Sequence, residues 1–171
     1  MSLIVNMFGG PSVGKSTTAA KVFASLKDLG VNVELATEFA KDLTWEGAHK
    51  SLHCQPFITG TQIWRIERLA QAGVAVIVTD SPPLMGAAYA KDWPGVSEMV
   101  GNYHFKHPSL NFQLTRVKPF SQHGRLHSED ESKELDLQIG WLLDHWAVNP
   151  WVIPGNSDGA EQAVRKIMEY V

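Results

Sequence analysis

Gly9-Gly10-Pro11-Ser12-Val13-Gly14-Lys15-Ser16 reads Gly-x-x-x-x-Gly-Lys-Ser, a complete phosphate-binding loop. Its flanks agree with it. The apolar run Leu3-Ile4-Val5-Asn6-Met7-Phe8 leads in, and a helix-prone stretch, Lys15 to Leu29, follows. A strand that stops abruptly before a helix lets successive backbone N–H groups and the positive helix end converge on phosphate. Gly9 and Gly14 relieve the steric limits on such a turn. Lys15 is then placed to reach the β and γ phosphates of a nucleoside triphosphate, and the Ser16 hydroxyl to complete a magnesium site. Gly9, Gly10, Pro11, Ser12, Val13, Gly14, Lys15, Ser16 and Thr17 are the expected nucleotide-binding residues.

Working outward, apolar runs alternate between strand and helix spacing. Strands are expected at Leu3–Phe8, Val31–Thr37, Val74–Thr79, Leu110–Val117 and Trp151–Ile153. Helices are expected at Lys15–Leu29, from Glu38, over Thr59–Ala72, over Leu135–His145 and over Asp158–Tyr170. Val74–Thr79 is continuously apolar, as a strand covered on both faces should be. Alternation of this kind implies an α/β fold: a five-stranded, mainly parallel sheet with helices on both faces and ligands at the carboxyl ends of the strands. The 171 residues fit one domain, with a short lid at about 118–130.

That topology gathers the residues after each strand into one place. Asp80 ends the strand Val74–Thr79 and is placed to hold magnesium beside Ser16. Glu38 follows the second strand, where a carboxylate can take a proton from an acceptor hydroxyl. Asp42 lies four residues on and shares a helical face with Glu38, so one can serve as base while the other holds substrate. Arg116 ends the fourth strand and is a candidate substrate contact, and Arg125 lies in the polar segment suited to a lid, where it can neutralise charge on a transferred phosphoryl group. Gln62 and Arg65, three apart on one helix, are candidates to read a base or hold an acceptor phosphate. Trp45 and Trp64 are candidates to stack on a base.

Composition narrows the classes. Hydrophobic residues make up 44% and charged residues 19%, the balance of an ordinary globular domain. No apolar run is long enough to cross a bilayer, and the first strand starts so early that no leader is expected. Cys54 is the only cysteine, which excludes an internal disulfide and a cysteine-based zinc site; a cytoplasmic location is expected. Net charge is −3, but Met99–Ser128 carries no acidic residue, whereas five acids crowd between Glu129 and Asp136. Such a local basic segment suits a phosphate or a nucleic-acid backbone, with an unevenly charged solvated loop as the alternative.

Four segments in order, Gly9–Ser16, Thr37-Glu38-Phe39-Ala40-Lys41-Asp42-Leu43-Thr44-Trp45-Glu46, Thr79-Asp80-Ser81-Pro82 and Arg116-Val117-Lys118-Pro119, resemble small bacteriophage P-loop kinases. Among these the sequence is most similar to the 5-hydroxymethyluracil DNA kinases. The resemblance implies a P-loop kinase fold, ATP and Mg2+, and transfer of the γ phosphate to the hydroxymethyl group of a thymine-like base in DNA. It puts the base on Glu38, the strand-end aspartate on Asp80 and the lid arginine on Arg125. It also implies a phage protein at work in the host cytoplasm. A kinase for free nucleosides, nucleotides or related small molecules is the alternative, and an ATPase driving a partner is a third reading.

Overall fold

A computed structural model describes residues 1–121 and 128–171. Five strands, β1 (Leu3–Phe8), β2 (Val33–Ala36), β3 (Val76–Thr79), β4 (Ser109–Thr115) and β5 (Trp151–Pro154), form one sheet in the order β2-β3-β1-β4-β5. Every pairing is parallel, so the expected sheet is present in full.

Side chains of β1 alternate between two layers, as a pleated strand requires. Val5 and Met7 pack with Val22 and Leu26 of α1 (Lys15–Asp28) and with Ala163 and Ile167 of α7 (Ser157–Ile167). Phe8 faces the other way, onto Val96 and Val100 of α5 (Gly95–His104) and Ile139 and Leu143 of α6 (Glu129–His145). Ile4 joins Ile66 of α3 (Gln55–Gln71) on that second face. Burying both faces of the central strands holds all five carboxyl ends at one rim.

The remaining elements sit at or near that rim. They are the short helix α2 (Phe39–Trp45), a 3-10 turn at His49–His53, a second at Pro83–Met85, and α4 (Gly86–Tyr89). α3 starts at Gln55, earlier than its spacing indicates, with Pro56 in its first turn. α6 starts at Glu129 behind a capping box: Ser128 Oγ accepts from Glu131 N, and the Glu131 carboxylate accepts from Ser128 N. Among the described residues no helix is long and apolar enough to cross a membrane.

The acid-free stretch does not form one strip. Its middle is β4, an interior strand, which puts His104–His107 at the amino end of the sheet and Arg116–Lys118 at the carboxyl end. Seven strand residues separate the two groups, about 23 Å at the usual rise. Several of the cationic groups are also committed: Lys106 Nζ and His107 Nε2 both donate to the Glu67 carboxylate at 2.6 Å, and His104 is buried. Burial raises the Glu67 carboxyl, but the bonds from Lys106 and His107 outweigh it and bring the pKa down to about 2. A carboxylate held below its unfolded value stabilises the fold above the unfolded pKa and ceases to do so as pH falls toward the folded one. Glu67→Gln should therefore destabilise the protein at pH 7 and have a shrinking effect between roughly pH 4 and pH 2. Urea titrations of both proteins across that range check this, and an effect that grows on acidification would contradict it.

Candidate active site

The phosphate loop adopts the backbone that Gly9 and Gly14 permit. Gly9 has φ 141°, Gly14 has φ 111°, and Ser12 between them has φ 65°. Lys15, the first residue of α1, donates from Nζ to the carbonyls of Gly9 at 2.7 Å and Gly10 at 3.0 Å. The ammonium is thereby held over the loop, where a bound anion would meet it.

Two supports fix the loop from outside. One is the tip of β5, where Gly155 lies so close that a Cβ would sit 1.8 Å from the Val13 carbonyl oxygen. The other is a polar brace. Arg116 donates to the Pro11 carbonyl at 3.0 Å, to Ser132 Oγ at 2.8 Å and to Asp136 Oδ2 at 2.7 Å. Asp136 Oδ1 accepts from Gly10 N at 2.5 Å, and Ser132 Oγ also donates to Pro11 O. Arg116, expected at the substrate, is thus bonded to the outer side of the loop and lies off the cavity wall. The acids after Ser128 supply its partner. Asp136→Ala leaves the Gly10 amide without its acceptor and the guanidinium without its carboxylate. It is expected to cost about 2 kcal/mol in urea unfolding and to weaken nucleotide binding; wild-type values for both would contradict the brace.

A cavity of about 400 Å³ opens from the loop, within the range of small-molecule sites. At one end its wall is Pro11, Ser12, Gly14, Lys15, Ser16 and Thr17; Glu38 and Ser81 come next; beyond them are Ala40, Lys41, Thr44, Leu52, His53, Gln55, Ile58, Met85, Gly86 and Tyr89. Glu38 is the N-cap residue of α2, so the strand tip and helix start together fix its position. Tyr89 is close enough to sense it: burial, then the Glu38 charge, then that of Asp136 raise the phenol above its ordinary range.

Asp80 lies directly after β3, buried at 4% exposure, and its Oδ1 has no hydrogen-bond partner among the described residues. An orphaned buried carboxylate oxygen is costly unless a cation or water completes it. A divalent cation would complete it; Ser16 lines the cavity, whereas Asp80 lies off its wall, next to Ser81, which is on it.

Other expected site residues are elsewhere. Asp42 forms an ion pair with Arg65, whose NH1 also donates to Thr37 O at 3.0 Å and whose guanidinium lies 5.1 Å from the Phe39 ring. Gln62 is buried and bonds to backbone on either side of Glu38. Neither Asp42, Gln62 nor Arg65 lines the cavity. Trp45 and Trp64 are exposed and also off the wall; Trp64 stacks under Arg68. Arg125 lies outside the described residues, as do residues 122–127 of the expected lid; Ser121 N donates to Ser12 Oγ at 2.9 Å. Sequence reasoning missed the far wall of the cavity, from Leu52 to Tyr89. Pro56 in the first turn of α3 was the one signal that pointed there.

Comparison with known proteins agrees with this architecture. Residues 4–161 match the family AAA_28, an AAA domain, and the chain belongs to it. No curated protein matches the sequence. Among solved structures it is similar to the NadR protein in complex with NR, at 16% identity and a TM-score of 0.73, over 99% of this chain. This chain spans 51%, about half, of that one. It is also similar to a deoxyadenosine kinase from M. mycoides with products dcmp and a flexible dcdp bound, at 12% identity and a TM-score of 0.55, over 98% of this chain and 97% of that one. Both likenesses are of fold.

Proposed function

We propose that this protein is an ATP-dependent kinase whose acceptor is a hydroxyl group, and that the acceptor is the hydroxymethyl group of 5-hydroxymethyluracil in DNA. The observation that carries the reading is the continuity of one cavity, from Lys15 and Ser16 past Glu38 into a chamber walled by Leu52, Ile58, Met85 and Tyr89. Hydrolysis needs room for one water beside the γ phosphate. A partly apolar chamber beyond the carboxylate favours an organic acceptor. The likeness of the fold to a deoxyadenosine kinase supports a kinase over an ATPase.

In this reading the Glu38 carboxylate accepts the hydroxyl proton as the acceptor oxygen bonds to the γ phosphorus. The bond to the β–γ bridging oxygen breaks, and ADP leaves with that electron pair. Lys15 and the loop amides hold the phosphates in line. A magnesium ion bound with ATP, held from Ser16 and Asp80, would offset charge on the phosphate oxygens.

Two observations bear on the acceptor. Lys41 and His53 line the far half of the cavity, and among the described residues Glu38 is the only carboxylate on its wall. An ammonium beside apolar side chains favours an acceptor that brings a phosphate of its own, as a nucleotide unit does. The resemblance of Thr37–Glu46 to the DNA kinases makes that unit part of a polymer, whose base must leave the stack to enter such a chamber. A free nucleotide or nucleoside is the second reading, favoured by the separation of the described cationic groups to opposite ends of β4. The test is γ-labelled ATP and Mg2+ with DNA containing 5-hydroxymethyluracil, beside the matching free nucleotide and nucleoside. Label in the polymer is the expected result. Label in the free compounds alone would overturn the DNA reading, and release of phosphate to water without labelled product would overturn the kinase.

A further inference from the structure

The β2–β3 ladder ends at the pair Ala36↔Thr79. Past that pair the strands part, yet Glu38 and Asp80 follow within one or two residues. Backbone pairing therefore does not set the spacing of these two carboxylates. The side chain of Gln62 is placed to do so. Its Oε1 accepts from Phe39 N at 3.0 Å, and its Nε2 donates to Thr37 O at 3.2 Å. Glu38 is thus bracketed on both sides. The same Nε2 reaches Thr79 Oγ1 at 3.4 Å, and that hydroxyl accepts from Ser81 N at 3.1 Å, bracketing Asp80. One primary amide joins both tips.

The amide is rigidly held. Gln62 is 3% exposed, with Thr59 and Ile66 buried beside it on α3. One turn on, Arg65 reaches Thr37 and Asp42. Gln62 lies off the cavity wall, so it does not meet an acceptor there.

We infer that Gln62 is a positioning residue that sets the separation of Glu38 and Asp80, an assignment that rests on the kinase reading above. Glutamine suits the place because its primary amide both donates and accepts from one planar head. Methionine matches its length and does neither.

The test compares Gln62→Met, Gln62→Glu and Thr79→Val with wild type. In Gln62→Met, kcat is expected to fall about 100-fold, the cost of misplacing reacting groups by about 1 Å, with KM for the acceptor within twofold of wild type. Gln62→Glu retains the acceptor for Phe39 N–H and is expected to recover part of that loss. Thr79→Val cuts the link to β3 while leaving Gln62 in place, and is expected to reproduce the kcat effect; combined with Gln62→Met it should add little. A raised acceptor KM at unchanged kcat would mean that Gln62 touches substrate, and unchanged values for both would remove the positioning role. Amide hydrogen exchange supplies a readout independent of catalysis. In Gln62→Met the Phe39 amide loses its acceptor and should exchange at least tenfold faster. The Ser81 amide, whose acceptor Thr79 Oγ1 loses its bond from Gln62, should also exchange faster, and core amides of β1 should stay as in wild type. Should wild type phosphorylate no hydroxyl, the kinase reading fails. Unchanged exchange at Phe39 and Ser81 would overturn the link between the tips whatever the activity.

Discussion

Lys15→Ala is expected to lower kcat/KM for ATP on the order of 1000-fold, the upper end for deletion of one preorganised charge at a transferring group. The ammonium is anchored on the carbonyls of Gly9 and Gly10 rather than reaching in from a flexible segment. No reorganisation is then needed when phosphate arrives, and the full electrostatic benefit is available in the transition state. The change should leave the sheet intact, because Lys15 stands at the start of α1 and the buried positions of that helix, Thr18, Ala19, Val22 and Leu26, are untouched. Steady-state kinetics with circular dichroism as the control checks this. Near-wild-type kinetics in a folded variant would contradict the role of the loop.

Glu38→Gln is the second large effect. The amide keeps the shape of the carboxylate and cannot take a proton, so kcat is expected to fall about 100-fold or more while nucleotide affinity stays close to wild type. Tyr89 offers a second readout. Because the Glu38 charge helps to raise the Tyr89 phenol, removing that charge should lower its pKa, visible as an earlier phenolate transition in ultraviolet titration. Unchanged turnover would take Glu38 out of the catalytic machinery. A fall in turnover with no change at Tyr89 would mean that the Glu38 charge does not reach the phenol.

The fold was legible because its signals are local. Continuous apolar runs at Val76–Thr79 and Leu3–Phe8, glycines at the loop and a helix after it specify one parallel unit, and the others follow by alternation. The strand tips carrying Glu38 and Asp80 were legible for the same reason, since topology alone brings them to the loop.

The roles of Arg116, Asp42, Gln62 and Arg65 were not. Charge and spacing on a helix tell which residues share a face, not whether that face meets solvent, substrate or backbone. Arg116 found Asp136, 20 positions away, and Arg65 found Asp42, 23 away. Such pairings are set by tertiary packing, which a single sequence does not display. The far wall of the cavity was hidden for another reason. It is built from a 3-10 turn, the first turn of α3 and a four-residue helix, elements too short to have a periodicity.

The central claim is that Lys15, Ser16, Glu38 and Asp80 act on one γ phosphate, and a crystal structure with Mg2+ and a non-hydrolysable ATP analogue tests it most directly. The account predicts the γ phosphate beside Lys15, the metal between Ser16 and Asp80, and the Glu38 carboxylate facing the γ phosphorus across space open to the chamber of Leu52, Ile58 and Tyr89. A triphosphate bound in the loop with Glu38 turned away, or with the chamber closed off from the γ phosphate, would contradict it.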